Sequence, residues 1–213
     1  MNPTYAIPPR TLADLLPTTS TRTARIVRDV VLITGFAIFT ALLAQIRVNL
    51  SFTPVPITGQ TLAVLLAGTT LGWSRGAISQ LVYWLAGIFM PVAWYAGDKT
   101  GASVSKGWHV ATGTTAGYFV GFVLAAAAVG YLAERKQDRS LSTSIPASLA
   151  GTAIIYLCGV VWLAHSLNIP VATGDANAIG YGLTPFLIGD TAKLLIAGGL
   201  APLAWKLATR DSE

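Results

Sequence analysis

Asp190 and Lys193 are charged residues inside a run from Leu183 to Trp205 that is otherwise almost wholly apolar and small. An ionised side chain near the centre of a bilayer costs roughly 2.5–3.5 kcal/mol, so such residues usually mark a functional site. Three residues apart on a helix, the two side chains point to one face and can touch. A carboxylate accepts N–H bonds and an ammonium donates to carbonyl or carboxylate groups. The pair therefore predicts a site for a small polar ligand, and the alternative is a salt bridge that only fixes this helix to its neighbours.

The composition indicates an integral membrane protein, because 53% of the residues are hydrophobic and only 11% are charged. A helix needs about 20 residues to span the hydrocarbon. We predict an all-α membrane bundle of six transmembrane helices over residues 29–208, or five if the short second stretch does not cross. Residues 1–28 are expected to form a mobile polar cytoplasmic arm, and 209–213 a cytoplasmic tail. The apolar stretches lie at about 30–48, 59–72, 77–95, 110–133, 145–167 and 183–205.

The net charge of +5 is explained by membrane topology rather than by nucleic-acid binding. If the N-terminus is cytoplasmic, only Arg47, Lys99 and Lys106 fall at the outer ends of the predicted helices. The remaining cations outside the last helix then lie on the inner side, which follows the positive-inside rule and places both termini in the cytoplasm. These inner cations are Arg10, Arg22, Arg25, Arg28, Arg75, Arg135, Lys136, Arg139, Lys206 and Arg210.

The longer connections fall on the predicted outer side, which suggests that the ligand arrives from outside. Pro54 and Pro56 restrict their neighbours to extended conformations, so the first outer connection should be stiff. The second outer connection carries three aromatic residues that form either an interfacial belt or the apolar lid of a site. These are Trp94, Tyr95 and Trp108.

Small and uncharged polar residues within the helices have two possible roles. Ala37 and Ala41 form a small-xxx-small pattern, which lets two helices approach closely in lipid. The pattern serves either internal packing or the docking of another membrane subunit. Gln60 and Gln80 serve either as hydrogen-bonding links between helices or as ligand contacts.

The sequence offers no pattern for a cofactor, a metal centre or an enzyme active site. His109 and His165 share no metal-ligand spacing with a carboxylate, and Cys158 is the single cysteine. The segment Gly97–Thr100 lacks the glycine that precedes the lysine of a P-loop, so ATP hydrolysis by that mechanism is excluded.

Four segments, in order and at suitable spacing, resemble the BioY family of biotin-specific substrate-binding subunits of energy-coupling-factor (ECF) transporters. The first is the proline-rich loop and helix TPVPITGQTLAVLLAG at 53–68, and the second runs from Arg75 to Val92. The third, GTTAGYFVGF at 113–122, is similar to a family signature, with Thr114 and Ala116 in place of the usual proline and glycine. The last is GDTAK at 189–193.

The resemblance implies that Asp190 and Lys193 bind biotin, with Gln60 and Tyr118 assigned to the same site. It also implies that Ala37 and Ala41 pack against the transmembrane coupling subunit, while paired ATPase subunits drive uptake across a prokaryotic plasma membrane. The expected site opens outward, among the last helix and the first two outer loops.

Three other functions remain to be weighed. A stand-alone secondary transporter would use Asp190 as a proton relay, and an integral-membrane enzyme would use the Lys–Asp pair as its active site. A retinal protein is disfavoured. By resemblance, retinal proteins have seven helices and a lysine and aspartate four residues apart, whereas this chain has six predicted helices and a spacing of three.

Overall fold

The computed structural model describes residues 10–16, 21–90, 94–96 and 104–210, and within them the chain is an α-helical bundle. A short two-stranded antiparallel ribbon joins α1 to α2, with β1 at Arg47–Val48 and β2 at Ile57–Thr58. Two 3-10 turns lie at Leu12–Leu15 and Thr184–Phe186. The helices are α1 (Arg22–Gln45), α2 (Gln60–Leu71), α3 (Trp73–Phe89), α4 (Val104–Thr112), α5 (Ala116–Glu134), α6 (Leu141–Leu167), α7 (Ala178–Gly182) and α8 (Leu187–Arg210).

Six of these helices coincide with the six predicted apolar stretches, and they are α1, α2, α3, α5, α6 and α8. Within the described residues, four helical segments are long and apolar enough to cross a membrane: Arg22–Gln45, Ala116–Glu134, Leu141–Leu167 and Ala178–Ala208. Helix α2 has only 12 residues, about 18 Å of helix. Most of α2 is buried, so neighbouring helices shelter this short helix. Six crossings therefore remain a prediction.

Helices α5 and α6 form the centre of the bundle because glycine lets their backbones approach. A Cβ atom on Gly117 would lie 2.2 Å from the Cβ of Trp162, and one on Gly121 would lie 2.8 Å from the Cα of Ile155. Small residues at helix interfaces are the usual way to achieve close packing in lipid. The hydrophobic core is continuous through this pair.

Helix α1 packs on the bundle through its alanines, with Ala37 only 1% exposed and Ala41 6% exposed. Next to them, the Nε2 of Gln80 on α3 donates to the hydroxyl of Thr40 at 3.2 Å. Gln80 is thus an interhelical link. The alanine pattern faces the chain's own interior, which supports internal packing. Docking of a coupling subunit on Ala37 and Ala41 would require α1 to rotate or move away, because their methyl groups are already covered.

The expectation of a polar arm over residues 1–28 is wrong for its described parts. Helix α1 begins at Arg22, and residues 10–16 pack against the bundle, with Thr11 fully buried. The backbone N–H and the hydroxyl of Thr11 both donate to Asp14. Arg75 at the start of α3 donates to Asp14 at 2.7 Å and lies 3.4 Å from Asp29 on α1. These long-range ion pairs, invisible in local sequence, hold the segment in place.

The Asp14–Arg75 contact predicts an acid-dependent loss of stability. Burial acts to raise the pKa of Asp14, but the hydrogen bond and charge of Arg75 and the bonds from Thr11 outweigh it, so this pKa lies below its ordinary 3.8. The stabilisation is then complete above the unfolded-state pKa and is lost as the pH falls through the folded-state value. We expect Asp14→Asn to lower the melting temperature in detergent at pH 7, with the deficit shrinking below about pH 4.

An Arg75→Gln background serves as the control, because Asp14→Asn should have little further effect once the guanidinium is gone. Equal deficits at pH 3 and pH 7 would contradict the assigned ion pair.

Candidate functional site

The carboxylate of Asp190 lies in the first turn of α8, and the residue is only 4% exposed. Its Oδ1 accepts from the Nζ of Lys193 at 2.5 Å and from the hydroxyl of Thr61 on α2 at 3.2 Å. Its Oδ2 accepts from the hydroxyl of Tyr156 on α6 at 2.5 Å. The predicted contact between Asp190 and Lys193 is confirmed. Charge-assisted bonds of this kind are the strong ones, and together they join three helices at one carboxylate.

Lys193 makes a second contact, which joins α8 to the ribbon formed by β1 and β2. Its Nζ also donates to the backbone carbonyl of Thr58 in β2. The lysine side chain is 16% exposed and lies beside the cavity described next, without lining it. Its position suits a residue that orients and neutralises Asp190 rather than one that reaches far into the cavity.

A cavity lies against Asp190, and it encloses about 580 Å³ of space when the open solvent at its mouth is included. The wall is mostly apolar and aromatic, with polar groups concentrated near Asp190. The proline-rich loop, α2, α5, α6 and α8 all contribute, and the principal lining residues are Val55, Pro56, Thr58, Gln60, Thr61, Tyr118, Phe119, Phe122, Ile155, Tyr156, Phe186 and Asp190.

Gln60 and Tyr118, the other two predicted site residues, both line this cavity. The amide of Gln60 donates to the hydroxyl of Tyr83 at 2.7 Å and accepts from the hydroxyl of Thr58 at 2.9 Å. One amide hydrogen of Gln60 is left over for a ligand. The hydroxyl of Tyr118 donates to the carbonyl of Gly182 at 2.7 Å. Tyr118 therefore presents mainly its ring to the cavity, while its hydroxyl holds α7.

The proline-rich loop, which the sequence predicts to be stiff, is attached to α7 through Thr53. The hydroxyl of Thr53 donates to the carbonyl of Tyr181 at 2.7 Å and accepts from the N–H of Val55 at 3.2 Å. This loop therefore forms a preformed wall of the cavity, connected to the segment that leads into α8.

An aromatic cluster around Phe119 closes the side of the cavity near α3. The ring centroid of Phe119 lies 5.1 Å from that of Tyr95, 5.9 Å from that of Trp84 and 6.1 Å from that of Tyr83. The indole N–H of Trp94 donates to the carbonyl of Tyr83. Trp94 and Tyr95 thus pack inward, as an apolar lid would, whereas Trp108 is 55% exposed, as in an interfacial belt.

Several residues of the site were not predicted from the sequence, and two of them, Tyr156 and Thr61, contact Asp190 directly. Tyr156 is a hydroxyl-bearing residue in the middle of an apolar helix, and that contrast was the available signal. Phe122 and Phe186 gave no signal, because an apolar lining residue looks like any other core residue.

The remaining candidates do not join the site. His109 is exposed, and the ring of His165 packs near Trp162. Within the described residues, no three histidine, cysteine or acidic side chains are grouped so that they could hold a metal ion. Lys99 lies outside the described residues, and of Lys106 only the backbone, on α4, is described.

The chain is similar to known transporters. Residues 14–210 match the model of the BioY family. The chain is 34% identical over 179 residues to the biotin transporter BioY of Rhizobium etli, covering 80% of this chain and 89% of that protein. It is 35% identical over 177 residues to the biotin transporter BioY of Rhodobacter capsulatus, covering 75% of this chain and 87% of that protein.

The fold is also similar to a crystal structure of the S-component for biotin from an ECF-type ABC transporter. The TM-score is 0.71 at 21% identity, covering 88% of this chain and 95% of the other. The relatives are transporters rather than enzymes, and the apolar helices make this chain a multi-pass membrane protein. The resemblance seen in the sequence is thus confirmed: the chain belongs to the BioY family.

Proposed function

We propose that the chain is a biotin-binding membrane subunit that mediates biotin uptake, energised by separate ATPase and transmembrane coupling subunits of an ECF-type transporter. The curated relatives are named biotin transporters, and the similar solved structure is an S-component for biotin. The proposed setting is a prokaryotic plasma membrane, crossed six times with both termini cytoplasmic. The observation that carries the proposal is the buried Asp190 carboxylate at the wall of an aromatic cavity.

The polar and apolar groups of biotin match the polar lining near Asp190 and the aromatic lining of the rest of this cavity. Its ureido ring offers two N–H donors and one carbonyl acceptor, its fused sulfur ring is apolar, and its tail ends in a carboxylate. Asp190 can accept a ureido N–H, while the rings of Tyr118, Phe119 and Phe122 cover the apolar faces. A carboxylate tail beside Asp190 would bring two negative charges together in a poorly solvated site. The ureido ring is therefore assigned to the Asp190 end, with the tail directed towards the mouth.

Lys193 is assigned a positioning role in this scheme. Its ammonium bridges Asp190 and the Thr58 carbonyl, which holds the carboxylate in place before the ligand arrives. Preorganised contacts of this kind raise affinity because less ordering is needed on binding. The spare amide hydrogen of Gln60 is available to the ureido carbonyl.

One prediction of this proposal concerns the buried pair of Asp190 and Lys193. Tritiated biotin should bind the detergent-solubilised wild type, and Asp190→Ala and Lys193→Ala should each weaken binding at least tenfold. Removing one half of a buried ion pair costs about 3–5 kcal/mol, and tenfold in affinity corresponds to about 1.4 kcal/mol. Asp190→Asn keeps the shape of the side chain and should show the same loss.

Asp175→Asn is the matched control, because Asp175 also follows a glycine but lies exposed between α6 and α7. It should bind biotin as tightly as the wild type. Retained affinity in the Asp190 and Lys193 variants would remove this site from the proposal, and failure of the wild type to bind would remove biotin.

The second prediction separates two tyrosines of the cavity wall. Tyr156→Phe removes a hydroxyl bonded to Asp190, and hydrogen bonds to charged groups contribute about 1.5–3 kcal/mol. We expect roughly tenfold weaker biotin binding. Tyr118→Phe removes a hydroxyl bonded to the Gly182 carbonyl, so it should lower the melting temperature more than it lowers affinity. Titration calorimetry and thermal unfolding on both variants would test this, and the reverse pattern would contradict the assigned roles.

The third prediction concerns the energy source. Biotin uptake into cells should require co-expressed ATPase and coupling subunits, and an ATPase-dead variant of those subunits should abolish it. Uptake by the chain alone that a protonophore abolishes would instead support the stand-alone proton-coupled transporter.

A further inference from the structure

A second hollow lies at the other end of α8, about 20 Å along the helix from Asp190. It is an open groove of about 1,070 Å³, counting its open space, between the start of α6 and the end of α8. By the predicted topology this is the cytoplasmic end. No residue of the groove belongs to the biotin cavity, so the proposed uptake function does not account for it.

The polar end of the groove carries cations. Arg139 and Lys206 line it, and the guanidinium carbon of Arg139 lies 3.2 Å from the centroid of the Trp205 ring. The indole N–H of Trp205 donates at 2.5 Å to Asp138, which is only 1% exposed. Asp138 and Trp205 thus form a buried support that fixes the guanidinium at the groove.

Positive charge dominates this end of the molecule. Arg135 and Lys136, in the same loop as Arg139, are both exposed. Of the described acids near the groove, Glu134 accepts from the N–H of Trp73, and Asp138 accepts from Trp205 and lies 3.4 Å from the Nε of Arg139. Against these two acids stand four described cations: Arg135, Lys136, Arg139 and Lys206. An anion approaching from the membrane surface therefore meets more positive than negative charge.

The other end of the groove is apolar and reaches along α8. Gly199, Pro202, Leu203 and Lys206 share one face of the helix, at spacings of three and four residues. A Cβ atom on Gly199 would have no heavy atom within 4 Å, whereas one on the adjacent Gly198 would lie 3.0 Å from Ile145. Helices α6 and α8 are therefore in contact at Gly198, and the space beside Gly199 is an open trough along α8.

The groove has a cationic end, which the buried Trp205 supports from behind, and an apolar trough, and this order of polar and apolar parts matches that of an amphiphilic lipid. We propose that it binds an anionic phospholipid of the cytoplasmic leaflet, with the phosphate at Arg139 and Lys206 and an acyl chain along Gly199 and Leu203. Basic pockets between membrane helices on the cytoplasmic side are suited to such head groups. A soluble anion would leave the apolar trough uncovered, and Leu203 is already 50% exposed.

The test measures binding of phosphatidylglycerol and phosphatidylcholine to the purified, delipidated full-length chain by native mass spectrometry. We expect the anionic lipid to bind at least tenfold more tightly. Arg139→Gln/Lys206→Gln should abolish this preference. Gly199→Phe should weaken binding of the lipid at least fivefold, because the added side chain begins in open space, with no heavy atom within 4 Å of its Cβ, and occupies the trough.

Two matched controls are available in the chain. Arg135→Gln/Lys136→Gln also removes two positive charges. Both residues lie in the loop that carries Arg139, but neither lines the groove. Gly35→Phe adds a ring on α1, where a Cβ also meets nothing within 4 Å. Both should bind phosphatidylglycerol like the wild type. Biotin binding should persist in every variant, which shows that each is folded and keeps this test separate from the uptake proposal.

Several outcomes would overturn the lipid site. One is equal binding of the two lipids, and another is unchanged binding in both groove variants. Displacement of the lipid by an equal concentration of inorganic phosphate would reduce the site to a simple anion site. If Arg139→Gln/Lys206→Gln loses biotin binding through misfolding, Gly199→Phe and Lys206→Gln alone still decide the matter.

Discussion

The Asp190 carboxylate is the group around which one half of this bundle is arranged. A buried charge is tolerated only when opposite charge and hydrogen bonds replace the water it has lost. Here the replacements come from different parts of the chain: Lys193 one turn along α8, Thr61 on α2 and Tyr156 on α6. Satisfying one carboxylate therefore fixes the relative positions of three helices.

The need to compensate these buried charges also involves the ribbon formed by β1 and β2. The Lys193 ammonium is shared between Asp190 and the Thr58 carbonyl, and Thr58 in turn bonds to Gln60 at the start of α2. The cavity lies at the N-terminal end of the short helix α2, where the chain forms the proline-rich loop and not a further turn of helix. Irregular backbone at that depth is tolerated in membrane proteins because it is buried in protein or lines a cavity.

Helix α8 carries two unlike ends. At its N-terminal end, the carboxylate of Asp190 and the ammonium of Lys193 are turned into the bundle, where each charge compensates the other. At its C-terminal end, Lys206 lies beside Arg139 at the groove, where the predicted environment is an anionic lipid surface. One helix thus separates a site for a small solute from a surface suited to lipid, and the helix between the two ends is almost entirely apolar.

Local sequence was enough to predict features that depend on one element alone. The six apolar stretches correspond to six helices because hydrophobicity over about 20 residues is a local property. The contact between Asp190 and Lys193 follows from helical periodicity, and the stiffness of the loop around Pro54 follows from the fixed φ of proline.

Features that depend on which neighbour a helix meets were decided only by the tertiary structure. From residue 30 to residue 44, helix α1 carries almost only apolar and small side chains, so its sequence could not show that Ala37 and Ala41 face inward. Tyr156 is brought to Asp190 from 34 residues away, and Asp14 to Arg75 from 61 residues away. Periodicity defines a face relative to its own helix axis, whereas the partner of that face is set by packing across the whole bundle.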